Sequence, residues 1–146
     1  MKSEKFKLLP ASHLLLFHQE KILLLRRFNT GYEDGNYSVV AGHLDSNESF
    51  TQSMVREAQE EAGIDLKVED LQVAHVMNRR KSDGEERIDF FIIAKSWKGE
   101  PRIMEPDKCD NLSWFSLDNL PNNIVPYIKY AIECTKQGIF YSEYGW

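Results

Sequence analysis

Three glutamates constrain this chain more than any other feature. Glu57, Glu60 and Glu61 lie in the segment Arg56-Glu57-Ala58-Gln59-Glu60-Glu61-Ala62-Gly63-Ile64. The surrounding residues read as a helix over 49–61. Ser49 followed by Gln52 has the form of a capping box, and Gly63 is placed to stop the helix. On such a helix the three carboxylates stand at i, i+3 and i+4, on one face. Like charges at that spacing destabilise a helix by roughly 0.2–0.5 kcal/mol per pair. Only Arg56 is nearby to offset them. Phe50, Met54, Val55, Ala58 and Ala62 form the adjacent apolar stripe, so the acidic strip borders the buried face instead of opposing it. Two readings are open on this pattern. One is a solvated acidic face. The other is a site for a hard cation such as Mg²⁺, which takes oxygen ligands and brings substrate phosphates with it.

The rest of the chain reads as one domain over residues 1–146, with 42% hydrophobic and 28% charged residues. A formal net charge of -5 gives no general attraction to nucleic acid or anionic membrane, so no stable nucleic-acid partner is expected. Phosphate binding would then need local arginines, lysines or a bound metal. Cys109 and Cys134 are not in a Cys-x-x-Cys pair and read as free thiols of a reducing compartment. The segment Met1-Lys2-Ser3-Glu4-Lys5 begins no apolar leader, and the runs at 14–17 and 22–25 are too short to span a bilayer. A cytoplasmic location without membrane contact is expected.

Elements of different type alternate, which points to a mixed α/β domain. Residues 12–17 and 21–27 read as a β-hairpin across His18-Gln19-Glu20. Residues 29–36 are a loop, and 37–40 a short strand running into Gly42. Further strands are expected at 71–79, 87–97 and 112–115, with a turn at 81–85 and a proline-broken loop at 99–110. Pro126 suits the first turn of a last helix that ends near Gly138.

The whole stretch Gly42-His43-Leu44-Asp45-Ser46-Asn47-Glu48, seven residues, then Arg56 to Ile64, resembles the Nudix box, G-x5-E-x7-R-E-U-x-E-E-x-G-U with U apolar. Every specified position is filled. The resemblance implies an α/β/α sandwich on a mixed β-sheet, with the box forming a loop–helix–loop. It implies that Glu57, Glu60 and Glu61 bind divalent metal, Mg²⁺ with Mn²⁺ as its substitute, and that the carbonyl of Ala41 adds a ligand. It also implies that Glu48 and Arg56 pair to hold the loop–helix–loop between Gly42 and Gly63. Relatives usually read Pro-Gly-Gly where this chain has Val40-Ala41-Gly42.

Outside the box, Gly99-Glu100-Pro101-Arg102-Ile103-Met104-Glu105 resembles a segment of MutT-type members and marks Glu105 as a metal ligand or general base. The same comparison favours Arg27, not Arg26, as the phosphate contact, since adjacent strand residues face opposite sides. Arg79, Arg80 and Lys81 read as a solvated edge. Glu105-Pro106-Asp107-Lys108-Cys109 with Leu112-Ser113-Trp114-Phe115 and Leu120-Pro121 is similar to nucleoside-triphosphate diphosphatases. These resemblances together imply metal-assisted hydrolysis of a nucleoside triphosphate to monophosphate and pyrophosphate, with Glu60 or Glu105 accepting the proton of water. Hydrolysis of ADP-ribose, a nucleotide sugar or a capped RNA end is the nearer alternative, and a non-catalytic nucleotide sensor the more distant one. Many relatives pair, so a homodimer is compatible with the resemblance.

Overall fold

The computed structural model describes residues 4–146. The long apolar runs near the start of the chain set its architecture. β1 (Leu9–Leu15) and β3 (Lys21–Arg27) are buried on both faces, and their side chains alternate between two cores. Leu14, Leu23 and Leu25 join Met54, Ala58 and Ala62 of α1 (Phe50–Ala62) in one core. Leu15, Ile22 and Leu24 join Ile128, Ala131 and Ile132 of α2 (Pro126–Lys136) in the other. The layers are therefore helix, sheet, helix, as the box implied.

The strands fall into two sheets. A mixed five-stranded sheet is ordered β5 (Ala41–His43), β1, β7 (Glu86–Ala94), β6 (Leu71–Arg80), β9 (Tyr141–Tyr144). In the second sheet β3 pairs antiparallel with β2 (Phe17–His18), β4 (Tyr37–Ser38) and β8 (Cys109–Ser116). The chain changes sheet after Leu15 and again between Ser38 and Ala41.

The first change corrects the hairpin expected of 12–17 with 21–27. Only Phe17 and His18 pair with β3, across a two-residue turn at Gln19 and Glu20 with φ of 51° and 64°. β1 instead lies parallel to β7 along its whole length and antiparallel to β5. A run that is apolar on both faces suits an interior strand covered above and below, which an isolated hairpin is not, and here β1 lies between β5 and β7 with a core on each side. The second change splits the strand expected at 37–40. The remaining strands differ at their ends. β7 stops at Ala94, short of residue 97, and β8 begins at Cys109, three residues earlier than expected.

β9 was not expected at all. It adds parallel to β6, and buried His75 ties it down through Ile139 O and Ser142 Oγ, each at 2.7 Å. The basic cluster also divides. Arg79 is 4% exposed, and its Nε donates to Asp89 Oδ2 at 2.6 Å. The β6–β7 register sets Arg79 opposite Arg87, which puts Asp89 two residues along on the same face. Among the described residues no helix is long and apolar enough to cross a membrane.

Candidate active site

Local signals in α1 aim the carboxylates. The Ser49 hydroxyl accepts the Gln52 N–H at 3.2 Å, and the Gln52 side chain accepts the Ser49 N–H at 2.8 Å. The helix stops at Gly63, whose φ of 65° is left-handed. Ser53, Met54, Ala58 and Ala62 are its buried residues, so the helix cannot rotate about its axis without exposing them. Glu57, Glu60 and Glu61 consequently face a cleft of about 520 Å³ where the two sheets part. Ala41, Arg27 and Glu105 line the same cleft. The structure thus brings together all six residues singled out for metal, base and phosphate roles.

β5 lets the helix approach this closely. A Cβ on residue 42 would lie 2.0 Å from Glu57 Oε1, so the Glu57 carboxylate occupies space that only glycine leaves open. Beside it, Glu61 Oε2 accepts the Ala41 N–H at 3.1 Å. Burial, reinforced by the neighbouring Glu57, pushes the Glu61 carboxyl well above the usual carboxylate range. Burial also raises Glu57, against the pull of Arg56. Two neighbouring carboxyls raised in this way favour either a proton or a cation between them.

Arg56 organises the loop before the helix. Its Nε and Nη2 donate to the two oxygens of Glu48 at 3.1 and 2.7 Å. Nη1 reaches Glu57 at 2.9 Å and Glu60 at 3.3 Å. Hydrogen bonds from Arg56 and from the Asp45 N–H hold Glu48 down to about 2. Asp45 itself lies 3.3 Å from Arg56. Sequence reasoning missed it because it fills an unspecified position of the box. It also missed Asn29, Thr30 and Lys108 on the cleft wall, which no local pattern marks.

The donor set fits a hard divalent cation by its chemistry. The carboxylates supply oxygen ligands, and two are buried at a cost that positive charge relieves. Among the described residues no three donor side chains converge on one point. Glu57 and Glu60 lean toward Arg56, and Glu61 toward the Ala41 amide. Burial pushes the Cys109 thiol up, so it stays a neutral part of the wall. Across the cleft, Arg27 donates from Nε to Tyr32 O at 2.6 Å and from Nη2 to the Thr30 hydroxyl at 3.1 Å. Arg26 pairs with Asp110 at 2.7 Å and does not line the cleft.

Residues 7–133 match the family model described as NUDIX domain. The chain is 26% identical over 117 residues to "NAD-capped RNA hydrolase NudC" of Stutzerimonas stutzeri, covering 79% of this chain and 39% of that protein. It is 30% identical over 115 residues to the protein of the same name from Pseudomonas aeruginosa, again 79% of this chain and 38% of the relative. It thus spans about two fifths of the length of these curated relatives. The fold is similar to a MutT NUDIX hydrolase from Burkholderia pseudomallei, with TM-score 0.80, 28% identity, and coverage of 88% of this chain and 98% of that one. A NUDIX hydrolase from Nitrosomonas europaea superposes at TM-score 0.78 with 21% identity, covering 92% and 93% of the two chains. With the box complete and the model spanning most of its length, the chain belongs to the NUDIX domain family.

Proposed function

We propose that this chain hydrolyses the phosphoric anhydride of a nucleotide substrate with the help of a divalent cation, releasing monophosphate and pyrophosphate from a nucleoside triphosphate. One observation carries the reading. Four carboxylates from two distant segments, the helix and the loop at Glu105, meet on one cleft with Arg27. Glu57, Glu60, Glu61, Glu105 and the Ala41 carbonyl would hold Mg²⁺, or Mn²⁺ in its place. The cation would neutralise charge on the diphosphate and make bound water easier to deprotonate. Arg27 holds a phosphate oxygen and orients the anhydride. Glu60 or Glu105 accepts the proton of the attacking water.

Replacing Glu60 with Gln should lower kcat by about 10²–10⁴-fold with the circular dichroism unchanged. Turnover at the wild-type rate would remove Glu60 from this role. The same loss in Glu105→Gln alone would move the base there. A second reading has the substrate as a dinucleotide joined through its diphosphate, and the similarity to proteins named NAD-capped RNA hydrolase favours it. Phosphate and pyrophosphate release from nucleoside triphosphates, together with monophosphate release from NAD⁺, separates the two.

A further inference from the structure

Beside the carboxylate cleft lies a second one, also of about 520 Å³. The two share Arg27 and Ala41, so a ligand can extend from one into the other. Their linings are opposite in charge. Arg27, Arg79, Lys81 and Arg87 line the second cleft and no carboxylate does, in a chain of net charge -5. The fold builds this concentration from the joined ends of β6 and β7, where Arg79 pairs with Arg87 and Lys81 follows directly.

The cations do have carboxylate partners, but these stand outside the lining. Asp89 holds Arg79, Glu85 takes Arg87, and Asp83 and Glu85 each lie 3.7 Å from Lys81. Arg79 is fixed as a buried floor, while the Lys81 and Arg87 side chains remain 21% and 18% exposed above it. The aromatic residues of the cleft carry cations against their rings. Arg79 sits 3.7 Å over the Tyr127 ring, and Arg27 and Lys81 lie 5.3 and 5.2 Å from the Tyr32 ring. Arg87 Nη1 lies 3.1 Å from His43 Nε2, which holds the guanidinium at the mouth. What the cleft presents is a set of pre-oriented N–H donors. A neutral group seated there would desolvate them without satisfying them, whereas a phosphate would accept charge-assisted bonds from them.

We propose that this second cleft seats an additional phosphate of the substrate, a phosphomonoester or phosphodiester lying beyond the anhydride that the glutamates address. The proposal rests on the hydrolase reading above for the placement of that anhydride. It makes the preferred substrate a diphosphate-linked nucleotide that carries one more phosphate on the part reaching past Arg27.

Two matched pairs test it, with Mg²⁺ present throughout. NAD⁺ against NADP⁺ isolates a phosphomonoester. NAD⁺ against NAD⁺ extended by one 3′-linked nucleotide isolates a phosphodiester. For each pair both kcat/KM and equilibrium Kd are measured. The phosphate-bearing member of at least one pair should be favoured about tenfold at low salt, the pair identifying which source it is. That advantage should shrink toward unity at high ionic strength. It should fall to about twofold in the Lys81→Gln, Arg87→Gln double variant. Should the double variant unfold, Lys81→Gln alone, in an exposed turn, should still reduce it. Ratios near one in both pairs, or an advantage undiminished in the variants, would overturn the proposal. Hydrolysis without preference removes this inference and leaves the catalytic reading standing. Preferential binding without hydrolysis does the reverse.

Discussion

Gly42 and Glu57 show how single atoms set the site. The Glu57 carboxylate rests where a side chain at residue 42 would begin, with Oε1 2.0 Å from that Cβ position. Gly42→Ala should barely change stability, because the displaced group is the far end of a flexible side chain. It should displace a candidate ligand, however, and raise the Mg²⁺ concentration for half-maximal activity by about 10–100-fold, the usual scale for disturbing the support of a metal ligand. A Mg²⁺ titration of the variant that overlays the wild type would show that Glu57 is not a ligand. The glycine was readable as part of the box. Its reason was not, since the partner comes from the helix and touches it only after β5 and α1 pack.

The helix α1 is the element that turns spacing into a site. Its boundaries were legible within one or two residues, because the cap, the stop and the apolar stripe all lie within about fifteen residues of each other. Ser49→Ala removes one half of the capping box and should cost about 1 kcal/mol, within the ~0.5–2 kcal/mol range of such caps. Chemical denaturation reads this as a lower midpoint at unchanged slope. A midpoint equal to wild type would mean that the cap is not holding the helix start. The strands were less legible. Apolar runs such as Leu23-Leu24-Leu25 identify strands buried on both faces but carry no record of which sheet they enter. For β1 and β5 that choice was made by partners far along the chain.

At the scale of the molecule, the acidic cleft couples stability to pH and to metal. The Glu61 carboxyl is raised in the folded state by burial and by Glu57. A raised folded value means that its stabilising effect is full below the usual carboxylate range and is lost as pH rises through the folded value. Without metal, Glu61→Gln should therefore gain in Tm relative to the wild type between pH 5 and pH 8. Buried His13, lowered to about 4, favours the folded state above the usual histidine range, but it is common to both proteins and cancels in the difference. Saturating Mg²⁺ should reverse the ranking at pH 8 by stabilising the wild type more. A Tm difference independent of both pH and Mg²⁺ would show that Glu61 carries no such burden. The opposite charge of the neighbouring clefts belongs to this scale as well, since it depends on the joined ends of β6 and β7 meeting the loops around Arg27 and Gly42.

The sequence by itself determined the helix, its caps and the line of three glutamates, because i, i+3 and i+4 neighbours meet without help from the rest of the chain. It also determined, through the box, the family and the layered fold. Glu105 and Arg27 were singled out by the resemblance to MutT-type members, but only the tertiary structure sets them on one cleft, turns Arg26 to Asp110, and joins Asp45 to Glu48 on Arg56. It alone buried Arg79 against Asp89 and made Lys81 and Arg87 the edge of a cationic cleft. Loops and α1 bring Glu105 to the cleft and Asp45 to Arg56, while the directions of Arg26, Arg27, Arg79 and Arg87 depend on strand register and on where the chain changes sheet. Register is a property of paired strands, and one residue of slip would send each of these strand-borne groups to the opposite face.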